Sequence, residues 1–304
     1  MKKKFINTEK IIGRVYSHKL EQKTVKNEAS ANYGKPFIAG TVEIAVDEEG
    51  LNVIPVHFTY ETGESKKETY DALKLILESN KVWTAVGKDD AIKVRVDTTL
   101  SVNDFIARDG KPVCTKVNEG GFVQIVNMLP EEEQRNIFTV DMLINRITRV
   151  EADPERNIDE EYAIIYGGVF SFKNEYLPVD FIVRDPIGIN HYESLEPSNS
   201  NPVITKLWGK IDCLTKKVIT EEESAFGKAA VSSYEKKSKE WVVTGTATQP
   251  YDFGDESVMT KEELTTILQN RELVLAEVKR RKEERDNATS APAATPVVNA
   301  EFKF

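Results

Sequence analysis

Gly40-Thr-Val-Glu-Ile-Ala-Val46, Asp47-Glu-Glu-Gly50 and Asn52-Val-Ile-Pro-Val-His-Phe-Thr-Tyr60 follow one another almost without a break. In the first run Val42, Ile44 and Val46 alternate with Thr41, Glu43 and Ala45. In the last run Ile54, Val56, Phe58 and Tyr60 recur at every second position. A period of two puts each apolar set on one face of a strand. The acidic turn ending in Gly50 joins the two strands as a hairpin. The pattern then changes. From Thr69 to Ser79, Tyr70, Leu73, Leu75, Ile76 and Leu77 take helical spacing over about three turns.

Working outward, the segment before the hairpin is also a strand, Ile12-Gly-Arg-Val-Tyr-Ser-His18. After the helix, strands resume at Ile92-Lys-Val-Arg-Val96, turn at Asp109-Gly110 and close with Gly121-Phe-Val-Gln-Ile-Val126. Three β segments, a helix and further β segments are the element order of an OB barrel, a five-stranded Greek-key barrel. Another small β-barrel or a sandwich is the alternative. The predicted fold class is therefore mainly β. It comprises an OB-like, nucleic-acid-binding domain over 1–148, a polar linker at 149–161 and a second β-rich, candidate OB-like domain over 162–250. An acidic loop and a C-terminal amphipathic helix follow over 251–286, and a disordered tail over 287–304.

In the second domain Tyr162, Ile164 and Tyr166 open a β segment, Gly167-Gly168 allow a sharp bend, Val169-Phe-Ser-Phe172 continue it, and Lys173-Asn-Glu175 turn the chain. A Pro-containing insert (Pro186, Pro197, Pro202) shows no convincing central helix before the strands at 203–211 and 241–244. Thr260-Lys-Glu-Glu263 is a capping box. The helix behind it carries Leu264, Ile267, Leu268, Leu275 and Val278 on one stripe, bordered by Val274 and expected to pack on the second domain. The tail from Asn287 to Asn299 is uncharged and rich in Ala, Pro and Thr.

Charge is unevenly placed. The first 36 residues carry nine Lys or Arg and three Glu, a net +6 in a chain whose total is −9, so the rest sums to −15. Period-2 geometry predicts Arg14, Tyr16 and His18 on one strand face. Lys206, Trp208 and Lys210 repeat that cation–ring–cation pattern, and Lys93 and Arg95 share a face. Tyr33, Lys35 and Phe37 mark a loop between the first two strands, with Lys23 and Lys26 before it. Arg108, Lys111 and Lys116 add cations around the later hairpin. Cations that follow phosphates and flat rings that receive bases suit a single-stranded nucleic acid. Counterion release depends on such local cations, so an acidic total is no obstacle.

Catalytic chemistry is poorly supplied. His18, His57 and His191 are far apart, and Cys114 and Cys213 have neither disulfide nor zinc spacing. No phosphate loop, Gly-x-Ser-x-Gly or His-Glu-x-x-His occurs. The expectation is a protein that is not an enzyme, with no cofactor, no catalytic residues and no metal. No apolar run approaches the roughly 20 residues that span a bilayer. The basic start lacks an apolar stretch behind it, so the expected setting is a reducing cytoplasm with no membrane partner.

The segments Ile12–Leu20, Gly40–Val46, Asn52–Tyr60 and Glu240-Trp-Val-Val-Thr-Gly245, with the helix from Thr260 to Arg285, resemble a phage-type single-stranded DNA-binding protein. That resemblance implies an OB core, cooperative coating of single-stranded DNA, and a role in replication or recombination inside a bacterial host's cytoplasm. It also implies a C-terminal tip that recruits replication or recombination proteins, here Phe302 and Phe304. The acidic tip of such proteins is missing, since Lys303 opposes Glu301. The competing readings are a virion structural or assembly protein and a metal-dependent nucleic-acid enzyme.

Overall fold

A computed structural model describes residues 3–62, 66–153, 155, 158–222 and 230–290. Five strands close a first ring: β1 (Asn7–Thr24), β2 (Pro36–Ala45), β3 (Val53–Thr62), β4 (Lys93–Ile106) and β5 (Pro112–Ile125). The ladder runs β1–β2–β3–β5–β4 and returns to β1, with β3 and β5 parallel. Between β3 and β4 stand α1 (Lys67–Ser79) and the single turn α2 (Trp83–Val86). This is the OB topology expected from the hairpin and helix. Asp47 fixes the hairpin turn by accepting from the amides of Gly50, Leu51 and Asn52. Helix α1 buries Tyr70, Leu73 and Ile76 over the barrel and stops at Asn80, which takes φ 47° and donates to the Ile76 carbonyl.

The second ring repeats the first. It comprises β6 (Asn136–Val150), β7 (Tyr162–Phe170), β8 (Tyr176–Val183), β9 (Val203–Glu222) and β10 (Ala230–Thr246). Its ladder runs β6–β7–β8–β10–β9 and back to β6, with β8 and β10 parallel. The helix missing from the sequence reading exists as α3 (Pro186–Ser194). Asp185 caps it by accepting from the Ile187 amide, Pro186 occupies its first turn, and Ile189 and Tyr192 are buried. Its short length hid it. At Gly167-Gly168, where the sequence allows a bend, β7 continues as one strand. A Cβ on Gly167 would stand 1.8 Å from the Leu143 carbonyl oxygen, so glycine here permits close strand approach.

Both rings carry the same irregularities. The first strand bulges between Val15 and Ser17 in one ring and between Ile144 and Arg146 in the other. The last ladder skips Gly121 in one and Thr244 in the other. Asn7 and Asn136 hold equivalent places and donate to the carbonyls of Leu100 and Ile211 at 2.9 and 2.8 Å.

The two first strands pair with each other, antiparallel, from Asn7↔Val140 to Ile11↔Asn136. Glu9 and Phe138 face each other at the centre, so a local two-fold relates the barrels. Strand β6 starts at Asn136, within the stretch 1–148, yet belongs to the second ring. We therefore propose that the domain boundary falls just before Asn136. One apolar core runs through both barrels, from Val15, Ile44 and Val56 to Phe138, Phe181 and Trp241.

Helix α4 (Lys261–Ser290) begins with the expected capping box, Thr260 and Glu263 exchanging hydrogen bonds at 3.0 and 3.2 Å. Leu264 and Ile267 pack on the second barrel, as the stripe predicts. The second half crosses instead to the β4–β5 hairpin of the first barrel. There Arg271 meets Asp104 at 2.6 Å, and Lys282 donates to the Ala107 carbonyl at 2.8 Å. The helix runs on to Ser290, past the start of the expected disordered tail. Phe302 and Phe304 lie outside the described residues. No helix among the described residues is long and apolar enough to cross a membrane.

Glu9 is buried at the joint, accepting from Trp241 Nε1 at 2.8 Å and Thr98 Oγ1 at 2.9 Å. Burial pushes its carboxyl up to about 7, against an ordinary value of 4.5. The folded protein then holds a proton that the unfolded chain releases, so this group's contribution to stability falls as pH rises between those values. Glu9→Gln keeps an acceptor for Trp241 and is expected to flatten that decline, which reaches at most about 1.4 kcal/mol per pH unit. Urea melts of both proteins across this window check it; parallel pH profiles would contradict the assignment.

Candidate nucleic-acid interface

The β1–β6 ladder makes one sheet surface of strands from both barrels. Residues opposite each other in a ladder share a face. The register gives one row, Phe122–Asp97–Lys10–Ile137–Lys210, running from β5 through β4, β1 and β6 to β9. A second row is Thr8–Thr139–Trp208. Between the barrels this face sinks into a groove of about 960 Å3, lined by Thr8, Lys10, Arg95, Phe122, Ile137 and Thr139 among others. Two large rings are left open on it, Phe122 at 39% and Trp208 at 38% exposure. The Trp208 indole lies over bare Gly245, where a Cβ would come within 2.5 Å of it.

Six cations occupy or flank this surface: Lys10, Lys66 and Arg95 line the groove, and Lys93, Lys206 and Lys210 lie on the same face. Lys10 is exposed, with no side-chain partner among the described residues. Arg95 holds Asp97 at 3.2 Å through Nε and 3.1 Å through Nη2. Such a half-exposed pair contributes little to stability and is readily exchanged. Lys93 donates at 3.4 Å to the Asn127 carbonyl. Five residues of the sequence reading thus converge here: Lys93, Arg95, Lys206, Trp208 and Lys210.

The others lie elsewhere. Arg14 and His18 do not share a face, because the bulge at Tyr16 shifts the register. Arg14 pairs with Ala45 and His18 with Val42, which point to opposite sides of β2. Arg14 binds Glu48 at 3.0 Å, and Glu48 is also held by Arg135 at 2.7 Å and Lys88 at 2.8 Å. Lys88, Arg135 and Arg14 keep the Glu48 carboxyl down to about 2. Arg14 is therefore a structural cation. The Tyr16 ring packs 5.9 Å from Trp83, and burial lowers the pKa of His18 against the end of α1. Lys116 is committed too. It bonds Asp180 at 3.1 Å between the barrels, with its ammonium 4.9 Å from the Trp241 ring centroid.

Lys23 pairs with Glu21 at 2.8 Å, and Lys26, Tyr33, Lys35 and Phe37 cluster in and beside the 25–35 loop. That loop lies at the far end of β1 from the groove, about 40 Å along the strand from Ile12 at 3.3 Å per residue. Arg108 and Lys111 occupy the tip of the β4–β5 hairpin. Lys10 and Phe122 were missed by sequence reasoning. The alternation of Gly121–Val126 offered Phe122, but nothing local places it beside a strand of the second barrel.

Fold and site together define a tandem OB-barrel protein with a cation- and ring-bearing surface across its joint. The chain belongs to the YorF family, whose model matches residues 6–281. No curated protein matches it in sequence. Among solved structures it is similar to a variant of the single-stranded DNA-binding protein from Thermus aquaticus, with 10% identity, 83% of this chain and 98% of that one covered, and a TM-score of 0.45. It is also similar to Rim1, a mitochondrial single-stranded DNA-binding protein of S. cerevisiae, with 13% identity, 41% and 98% coverage, and a TM-score of 0.22.

The two tryptophans on adjacent strands should behave differently. Trp241 is fully buried and Trp208 is not. Trp241→Ala is expected to cost about 3–5 kcal/mol, and Trp208→Ala far less. Denaturant melts check this; equal losses would mean that the Trp208 ring is part of the core.

Proposed function

We propose that this protein binds single-stranded DNA, without marked sequence preference, along the face that crosses the joint between the barrels. The observation that carries the reading is the continuity of that face. Phe122 from one barrel and Trp208 from the other stand open on a face whose groove is lined by Lys10, Lys66 and Arg95 and flanked by Lys93, Lys206 and Lys210. The rings stand four strands apart, about 19 Å at 4.8 Å per strand. A short run of nucleotides spans that distance, with bases on the rings and phosphates on the lysines. Stacking on a π face accepts any base, which is why sequence tolerance follows.

The chemistry needs no cofactor and no catalytic group. The proposal extends to a phage-encoded protein that covers single strands during replication or recombination in a host cytoplasm. Its tail residues Phe302 and Phe304 would recruit other proteins of those processes.

Titration of fluorescent oligo-dT at several salt concentrations tests the reading. Binding is expected to weaken steeply with salt. Trp208→Ala and Phe122→Ala are each expected to lose about 1–3 kcal/mol of affinity. Lys10→Ala should lower the log–log salt slope by about 0.7. A folded protein that ignores oligo-dT at low salt would refute the proposal.

A further inference from the structure

The duplication creates a second pair of surfaces. In each barrel a cleft opens over the second and third strands beside the bulge of the first strand. The first cleft, about 460 Å3, is lined by Tyr16, Glu43, Pro55, Lys237 and Lys239 among others. The second, about 730 Å3, is lined by Asn145, Arg146, Tyr166, Asp180 and Ser198 among others. Their positions correspond through the shared bulge. Immediately after it, Ser17 pairs with Glu43 in one barrel, and Arg146 pairs with Tyr166 in the other.

The same site therefore carries different side chains. In the first barrel the Ser17 hydroxyl donates to the Glu43 carboxylate, so an acid stands where a phosphate would pass. In the second, the exposed Arg146 guanidinium lies 3.9 Å above the Tyr166 ring centroid. No carboxylate pairs with Arg146 among the described residues, and the nearby Asp180 is balanced by Lys116 at 3.1 Å. A planar cation held on a ring, open to a groove of ligand-sized volume, offers donors to a phosphate and a flat surface to a base.

We propose that Arg146 and Tyr166 form a nucleotide subsite of the second barrel, one that the first barrel, with Glu43 at the matching position, does not repeat. The subsite lies apart from the face that crosses the joint, though it rests on the single-strand reading. It gives the bound strand a route from the joint around the second barrel only.

Oligo-dT titration of the full chain tests this with Arg146→Ala and Arg146→Lys, both at an exposed position. Arg146→Ala is expected to weaken binding about 5- to 150-fold and to lower the salt slope by about 0.7. Arg146→Lys should keep the slope while losing affinity, because an ammonium cannot stack. Photo-crosslinking of wild type to iodouracil-substituted oligo-dT should label the peptide containing Tyr166. Wild-type binding with an unaltered Arg146→Ala titration and no label on that peptide would overturn the subsite and leave the single-strand reading standing. Failure of the wild type to bind would remove both.

Discussion

The antiparallel pairing of β1 with β6 is the contact on which the rest of the molecule depends. Each first strand is too long for its own barrel. From Arg14 onward β1 pairs with β2; over Asn7–Ile11 that edge is taken by β6. The second barrel does the same: β6 pairs with β7 from Met142 onward and with β1 over Asn136–Val140. Two exposed edges would each invite foreign strands. Paired with one another, they remove that hazard and fix the barrels in a two-fold relation.

That joint has two sides with different chemistry. Its inner side buries Glu9 against Trp241 and Thr98, and stacks Phe138 on Phe181 with centroids 5.2 Å apart. Lys116 and Lys239 approach the same Trp241 ring, at 4.9 and 4.7 Å from its centroid. Buried polar groups of this kind need well-placed partners, which favours a single arrangement of the barrels. The outer side stays open and carries the groove. A rigid joint inside is thus what holds Phe122 and Trp208 at a set separation outside. The symmetric frame nonetheless carries different side chains at matching positions, as Glu43 and Arg146 illustrate.

Local pattern carried much of the first barrel. Val42 to Tyr60 encodes a hairpin by alternation and an acidic glycine turn, and the period change at Thr69 encodes α1. The capping box at Thr260 was equally legible, because its signal is complete within four residues. What failed was long-range or irregular. A bulge leaves no trace in alternation, so Arg14 and His18 were placed on one face. Lys116 looks like any surface cation until Asp180 arrives from another barrel. The role of Gly167 depends on Leu143, a neighbour in space and not in sequence. Trp208 and Lys210 could be grouped on one strand, but their meeting with Lys10 requires a pairing between strands about 130 residues apart.

The central claim is that one strand of nucleic acid lies across both barrels at their joint. Hydroxyl-radical footprinting of the full chain, with and without oligo-dT, examines it directly. Phe122 and Trp208 are both open in the free protein and belong to different barrels. The account predicts that both rings lose reactivity together as oligo-dT saturates the protein, while Tyr33 in the distant loop keeps its own. Protection of Tyr33 with Phe122 and Trp208 unchanged would contradict it.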